Sequence, residues 1–240
     1  MNSLDYIRVV LVEPTHPGNI GATARAMANF GFDRLVLVNP KRFPDDIANA
    51  RAAGADWILE NAVVVNSLDQ AIADCTYVLG TTAREREIEW PVLSPLNAMS
   101  EVRNRTAQQI ALLFGRESSG LKNSELDTCN ALIRIPVNPE FASLNLGSAV
   151  TVLLYELRRQ LIDHSDSIDS SAKHEPMASH QEIAGFHQHL NQVLAEIEFT
   201  DGRSSKLGRK LARLFSRTEL YSQEVRMLRG ILKAIQRKTD

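Results

Sequence analysis

Three short segments of this chain place chemically capable groups directly after apolar runs. Gly18-Asn19-Ile20-Gly21, with Arg25 behind it, follows Ile7 to Val12. Phe114-Gly115-Arg116-Glu117 closes the run Ile110 to Phe114, and Ser143-Leu144-Asn145-Leu146 follows Ala131 to Val137. Arg25 falls one to two turns into a helix that starts near Asn19, which would set a guanidinium at the mouth of a cleft. Its five fixed donors suit a phosphate or a developing oxyanion. Gly115 permits close backbone approach, with Arg116 and Glu117 as charges beside it. The turn at Ser143 to Asn145 precedes a helix amino terminus, where free N–H groups and short side chains can hold a polar ligand. Each segment alone has a bland explanation: Ser143 and Asn145 as helix caps, Arg116 and Glu117 as a surface ion pair. Asn123-Ser124-Glu125 likewise reads as a cap.

The elements that must position these groups alternate. Strand-like runs occur at Ile7–Val12, Leu35–Val38, Val63–Val65, Tyr77–Gly80, Ile110–Phe114 and Leu132–Val137, separated by helical composition at Ile47–Leu59 and Leu68–Ala73. This predicts βαβ units, an α/β fold and a mostly parallel sheet, whose ligand site lies beyond the carboxyl ends of its strands. An enzyme of the cleft-at-the-sheet-edge type is expected. The apolar-rich segment from Asn145 to about Leu161 predicts a helix packed on the sheet or on a partner subunit. A dinucleotide site is disfavoured: the glycines are spaced Gly-Asn-Ile-Gly, and Asn39-Pro40 ends the second strand where an acidic residue would be needed. No Walker lysine follows the glycines.

Composition narrows the class. The chain has 240 residues, 44% of them hydrophobic, enough for one large domain or a domain with a smaller appendage. Its two cysteines, Cys75 and Cys129, fall in predicted helical segments and support neither a disulfide framework nor a thiolate metal site. A reducing cytosol fits this usage. The amino terminus lacks an apolar leader pattern and no stretch has the apolar length of a membrane span, so a soluble cytoplasmic protein is expected.

Charge is unevenly placed. Residues 161 to 199 hold 1 Lys or Arg against 7 Asp or Glu, whereas residues 200 to 240 hold 11 against 4. A basic tail on a mildly acidic body predicts attraction to a polyanion, because neutralising phosphates releases counterions. Arg203, Lys206, Arg209, Lys210, Arg213 and Arg217 recur at intervals of three to four, opposite Leu207, Leu211, Leu214 and Phe215. That pattern predicts a packed helix with a basic stripe that steers RNA without reading its sequence. The expected organisation is a domain over 1–162, an acidic linker over 163–180 and a helical basic extension over 181–240.

Taken in order, the three segments resemble the motifs of the SPOUT superfamily of S-adenosylmethionine-dependent RNA methyltransferases, in its 2'-O-ribose branch. The matching residues are Asn19-Ile-Gly-Ala-Thr-Ala-Arg25, Phe114-Gly115-Arg116-Glu117-Ser-Ser-Gly120-Leu121, and Ile135-Pro136 followed by Ser143-Leu144-Asn145-Leu146. The segment Leu11 to Asn19, Asn138-Pro139-Glu140-Phe141 and the basic extension look most like the tRNA members that act on nucleotide 32 of the anticodon loop. Gly147-Ser148 departs from the alanine-rich pattern expected there. The resemblance implies a trefoil-knotted domain, a homodimer formed through the domain's last helix, tRNA as substrate and no metal. It implies a cofactor bound by Thr81, Thr82, Ala83, Gly115, Ile135, Ala142, Ser143, Leu144 and Asn145. Arg25 would stand nearest the nucleophile, positioned by Asn19, Glu117 and Ser143, with RNA contacts at Arg25, Arg84 and the basic tail. Two other classes remain open on the residues alone: a nucleotide-binding enzyme of Rossmann type and a noncatalytic RNA-binding factor.

Overall fold

The computed structural model describes residues 4–83, 90–106, 108–163, 176–200 and 206–239. Seven parallel strands are β1 (Ile7–Val12), β2 (Leu35–Val38), β3 (Val63–Val65), β4 (Tyr77–Thr81), β5 (Val92–Leu93), β6 (Ile110–Phe114) and β7 (Ala131–Ile133). They lie in the order β3-β2-β1-β6-β4-β7-β5. Every residue of β1, β2 and β6 is buried, which is why these strands are continuous apolar runs: helices cover both faces of the sheet.

On one face pack α1 (Pro17–Phe30), α2 (Asp46–Ala52), α3 (Asp56–Glu60), α5 (Pro95–Arg103) and α7 (Leu146–Asp163). Their Ala24, Met27, Ala48, Ile58, Met99, Val150 and Leu153 bury Val9, Leu11, Leu37, Leu112 and Ile133. On the other face, α4 (Leu68–Ile72) and α6 (Asn123–Leu126) cover Val10, Val36, Val78 and Leu113 through Ala71, Ile72 and Leu126. Arg8 is the one charged side chain in β1. It survives burial by donating to the Ala71 carbonyl at 2.9 Å and to Asp74 at 2.6 Å.

Differences from the sequence reading have local causes. Residues 47 to 59 form two helices because Ala53 and Gly54 both take positive φ, 49° and 94°. The last strand stops at Ile133, since its neighbour β5 ends at Leu93 and Pro136 can donate nothing to a ladder. The two-residue β5 carries no periodic signal. Cys75 and Cys129 lie outside helices, each three residues past α4 and α6, and both are buried and free. Burial pushes each thiol up to about 12. Among the described residues no His, Cys, Asp and Glu group could hold a metal ion, and no helix is long and apolar enough to cross a membrane.

The chain ends in α8 (His180–Glu196), α9 (Lys206–Ser216) and α10 (Ser222–Thr239), with a small core of Ala178, Phe186, Val193, Leu220, Val225 and Leu232. A Ser179 capping box opens α8. This extension is docked on the sheet domain. His180 and Gln181 donate backbone N–H groups to the carbonyls of Cys75 and Ala73, at 2.8 and 3.1 Å. Asn130 Nδ2 donates to the Ser216 carbonyl at 2.7 Å, and Arg105 joins Glu219. Residues 164–175 of the expected linker lie outside the described residues; Pro176 already pairs with Ser222 at the start of α10, and Ala178 with Leu220 just before it.

Candidate active site

A cavity of about 250 Å³ opens beyond the carboxyl ends of β4, β6 and β7. Its walls are the segments after those strands: Thr81 to Ala83, Gly115 to Leu121, and Ile135 to Leu146. Ile133, Ile135, Val137 and Leu146 make it apolar, while Gly115 keeps one wall at the level of bare backbone. A Cβ there would fall 2.2 and 2.3 Å from backbone atoms of Gly120 and Leu121. Only glycine lets the chain fold back on itself at that point.

Eight of the nine expected cofactor residues, Thr81, Thr82, Ala83, Gly115, Ile135, Ala142, Ser143 and Leu144, line this cavity together with Glu117. Thr81 Oγ1 donates to the Leu113 carbonyl at 3.0 Å, tying the ends of β4 and β6. Asn145 is the exception. Its Oδ1 accepts from Gly147 N at 3.0 Å, capping α7, and its Nδ2 donates to Asn19 Oδ1 at 2.9 Å. The glycine that departs from the alanine-rich pattern has a packing reason, because a Cβ on Gly147 would stand 2.8 Å from Ala22 Cβ, where α7 crosses α1.

Arg116 and Glu117 do not pair with each other. Glu117 accepts from Thr15 N, Thr15 Oγ1, His16 N and Asn19 Nδ2, at 2.7 to 3.2 Å. Burial raises its carboxyl, but the bonds from Asn19 and Thr15 outweigh that and hold it down at about 2. Arg116 points the other way. It forks onto Glu125 at 3.0 and 2.8 Å and donates to Glu13 at 2.7 Å, and those carboxylates, Glu125 first, push its guanidinium further up. Glu13, Thr15 and Glu125 carry these contacts although nothing in the motif pattern marks them for it, Glu125 standing out only as a helix cap. Their signal was position: Glu13 and Thr15 stand directly at the carboxyl end of β1.

Arg25 lies on the exposed side of α1, outside the cavity lining, with no hydrogen-bond or ion-pair partner among the described residues. Its helix is well founded: the His16 imidazole accepts from Gly18 N at 3.0 Å, Pro17 opens the first turn and Gly31 closes the last with φ 79°. In the extension, Arg209 pairs with Asp127, while Lys210, Arg213 and Arg217 border a separate cleft. Arg84 and Arg203 lie outside the described residues, as does the side chain of Lys206.

The model of the SpoU rRNA methylase family matches residues 6–155. This chain is a SpoU-family methylase. A second family model, the C-terminal domain of the tRNA methyltransferase TrmJ, matches residues 181–240. The tRNA (cytidine/uridine-2'-O-)-methyltransferase TrmJ of Pectobacterium atrosepticum is 42% identical over 99% of both chains. The crystal structure of TrmJ from Z. mobilis ZM4 superposes with a TM-score of 0.84 at 34% identity, over 95% of this chain and 98% of that one. The SpoU methyltransferase AviRb of Streptomyces viridochromogenes, solved in complex with AdoMet, matches 66% of this chain and 58% of its own, with a TM-score of 0.54 and 25% identity. The SpoU methylase sheet and the helical extension are thus both accounted for by relatives, and the expected SPOUT fold stands.

Proposed function

We propose that this chain transfers a methyl group from S-adenosylmethionine to a ribose 2'-hydroxyl of tRNA, at nucleotide 32 of the anticodon loop, in the cytoplasm. The cavity bounded by the three motif segments carries the reading. Its apolar floor suits an adenine ring, and the bare backbone at Gly115 and around Ala142 to Leu144 suits the polar edge of a nucleoside. When bound, S-adenosylmethionine supplies an already activated sulfonium methyl, so the displacement requires no metal.

This chain's residues have the remaining work. Gly115, Ile135 and Leu144 hold and orient the cofactor, within the threaded loops that the SPOUT resemblance implies. Arg25 stabilises the alkoxide that develops as the 2'-hydroxyl gives up its proton. A guanidinium is a permanent cation with a fixed donor fork, so this electrostatic role is physically easier than proton removal by Arg25. Asn19, Glu117 and Ser143 position it and the ribose.

Arg25 reaches a cavity through a homodimer. Helices α1 and α7 run side by side, with Ala22 against Gly147 and the Phe30 ring 6.1 Å from the Tyr155 ring. Arg25 lies between those contacts along α1, and α7 leaves Val152, Tyr155 and Ile162 as exposed apolar residues. Covering that strip with its two-fold copy puts Arg25 at the interface and next to the partner's site. Sedimentation should show a dimer at micromolar concentration; a stable, active monomer would overturn this part.

The deciding experiment incubates the purified chain with methyl-labelled S-adenosylmethionine and unmodified tRNA, then maps the product by mass spectrometry of nuclease fragments. A 2'-O-methyl group at nucleotide 32 is expected. Cofactor binding without transfer would favour a noncatalytic RNA-binding role, and transfer to another nucleotide would correct the position.

A further inference from the structure

The cations of α9 fall into two groups. Arg209 is committed to the sheet domain, with Nε and Nη2 at 2.9 and 2.8 Å from Asp127 Oδ2. Arg213 Nε stands 4.0 Å from the other Asp127 oxygen, and its guanidinium lies over the Trp90 ring, 5.3 Å from the centroid. The side chains of Lys210 and Arg217 have no hydrogen-bond or ion-pair partner among the described residues. Lys210 and Arg213 of α9 and Arg217, one residue past its end with its N–H still bonded to the Arg213 carbonyl at 3.2 Å, follow an i, i+3, i+7 spacing and so fall on one side. That side lines a cleft of about 390 Å³ between the extension and the sheet domain, with Trp90, Pro91 and Cys129 as the opposite wall.

We propose that this seam binds the sugar–phosphate backbone of tRNA and holds it in register with the methyl-transfer cavity. The inference rests on the tRNA reading above and names a docking site for that substrate. Two unpaired cations beside an arginine stacked on tryptophan form a phosphate-binding arrangement, because stacking leaves the guanidinium edge free to donate. Register comes from one short segment. Arg116 lines the cavity and grips Glu125 in α6; the carbonyl of Leu126, the next residue, accepts from Trp90 Nε1 at 3.1 Å; Asp127 anchors Arg209. A backbone held in the seam is therefore tied to the cavity wall through α6, without a flexible link between.

The test compares two double variants with equal charge change. Lys210→Ala with Arg217→Ala removes the free cations of the seam. Arg226→Ala with Lys233→Ala removes exposed cations at the same spacing on α10. Each is titrated with tRNA across a salt series, with cofactor affinity by calorimetry as a check on folding. The seam variant should lose affinity on the order of tenfold or more at low salt. Its slope of log affinity against log salt should become shallower by about 1.5 to 2, the value for two lost phosphate contacts. The α10 variant should change less than about threefold. A Trp57→Phe background leaves Trp90 as the single tryptophan, whose emission should change on tRNA addition and stay constant in the seam variant. Equal losses in both double variants would mean diffuse attraction and overturn the seam, as would no loss in either. If the unaltered chain methylates tRNA and the seam variant binds like it, the seam alone fails; if the unaltered chain neither binds nor methylates tRNA, both readings fail.

Discussion

Asn19 donates its carboxamide N–H to Glu117 at 3.0 Å while its carbonyl oxygen accepts from Asn145 at 2.9 Å. One side chain thereby joins the three motif segments, although the first lies 98 and 126 residues before its partners in the other two. Because an amide offers both a donor and an acceptor, aspartate at this position would lose the bond to Glu117 and alanine would lose both bonds. Asn19→Ala and Glu117→Gln should each lower kcat on the order of tenfold or more. Glu117 lines the cavity, so its variant should also weaken cofactor binding, whereas Asn19→Ala should weaken it less. Unchanged kcat in both, measured by methyl transfer to tRNA, would remove the network from the mechanism.

Arg25 offers a cleaner separation. Within one protomer its side chain is exposed and unpartnered, so Arg25→Ala should shift the stability of the protomer fold by no more than about 0.5 kcal/mol. Methyl transfer should nevertheless fall by roughly a hundred- to a thousand-fold, the usual loss when one preorganised charge is removed from a developing oxyanion. Thermal melts, cofactor calorimetry and initial rates decide it together; near wild-type turnover would refute the assignment.

Gly115→Ala should damage the cofactor site itself. The added Cβ meets backbone of Gly120 and Leu121, which cannot rotate aside as a side chain can, so the loop 115–121 must shift. A cost of about 1–3 kcal/mol and a clear loss of S-adenosylmethionine affinity by calorimetry are expected. Retained affinity would show that this loop does not contact the cofactor.

The extension should be acid-sensitive in its own right. Burial first, and the nearby His180 second, pull the His187 imidazole down to about 4, while a backbone bond to Ala212 opposes them. Phe186 and Phe215 pack beside it. A histidine held neutral contributes stability that is complete above the unfolded value near 6.5, and that stability fades as pH falls from 6.5 toward 4. Denaturant midpoints should therefore drop between pH 7.5 and 5, and His187→Phe should flatten that change. A parent protein with equal midpoints at both pH values would contradict the buried neutral state.

Much of the fold was legible because period and punctuation are local. Continuous apolar runs marked six of the seven strands: the inner strands, buried on both faces, need no polar residue, while the edge strand β3 was marked by its run of valines despite being exposed, and Pro17 and Gly31 bracket α1 by their own backbone preferences. The three motif segments were legible for a related reason: glycine, asparagine and arginine at strand ends are chemically conspicuous in one dimension. Pairings were not. Sequence adjacency suggested that Arg116 and Glu117 face each other, yet successive residues after a strand point apart, and their partners, Glu125 and Glu13 for one, Thr15 and Asn19 for the other, come from distant loops. The basic stripe of α9 was visible as a helical period, but which cations are tied to Asp127 and which stand free depends on where the extension docks. Residue type and spacing thus determined the elements and the candidate chemistry. The order β3-β2-β1-β6-β4-β7-β5 decided which loops meet, because contacts between segments a hundred residues apart are chosen by the burial of the whole sheet and leave no periodic trace in either segment.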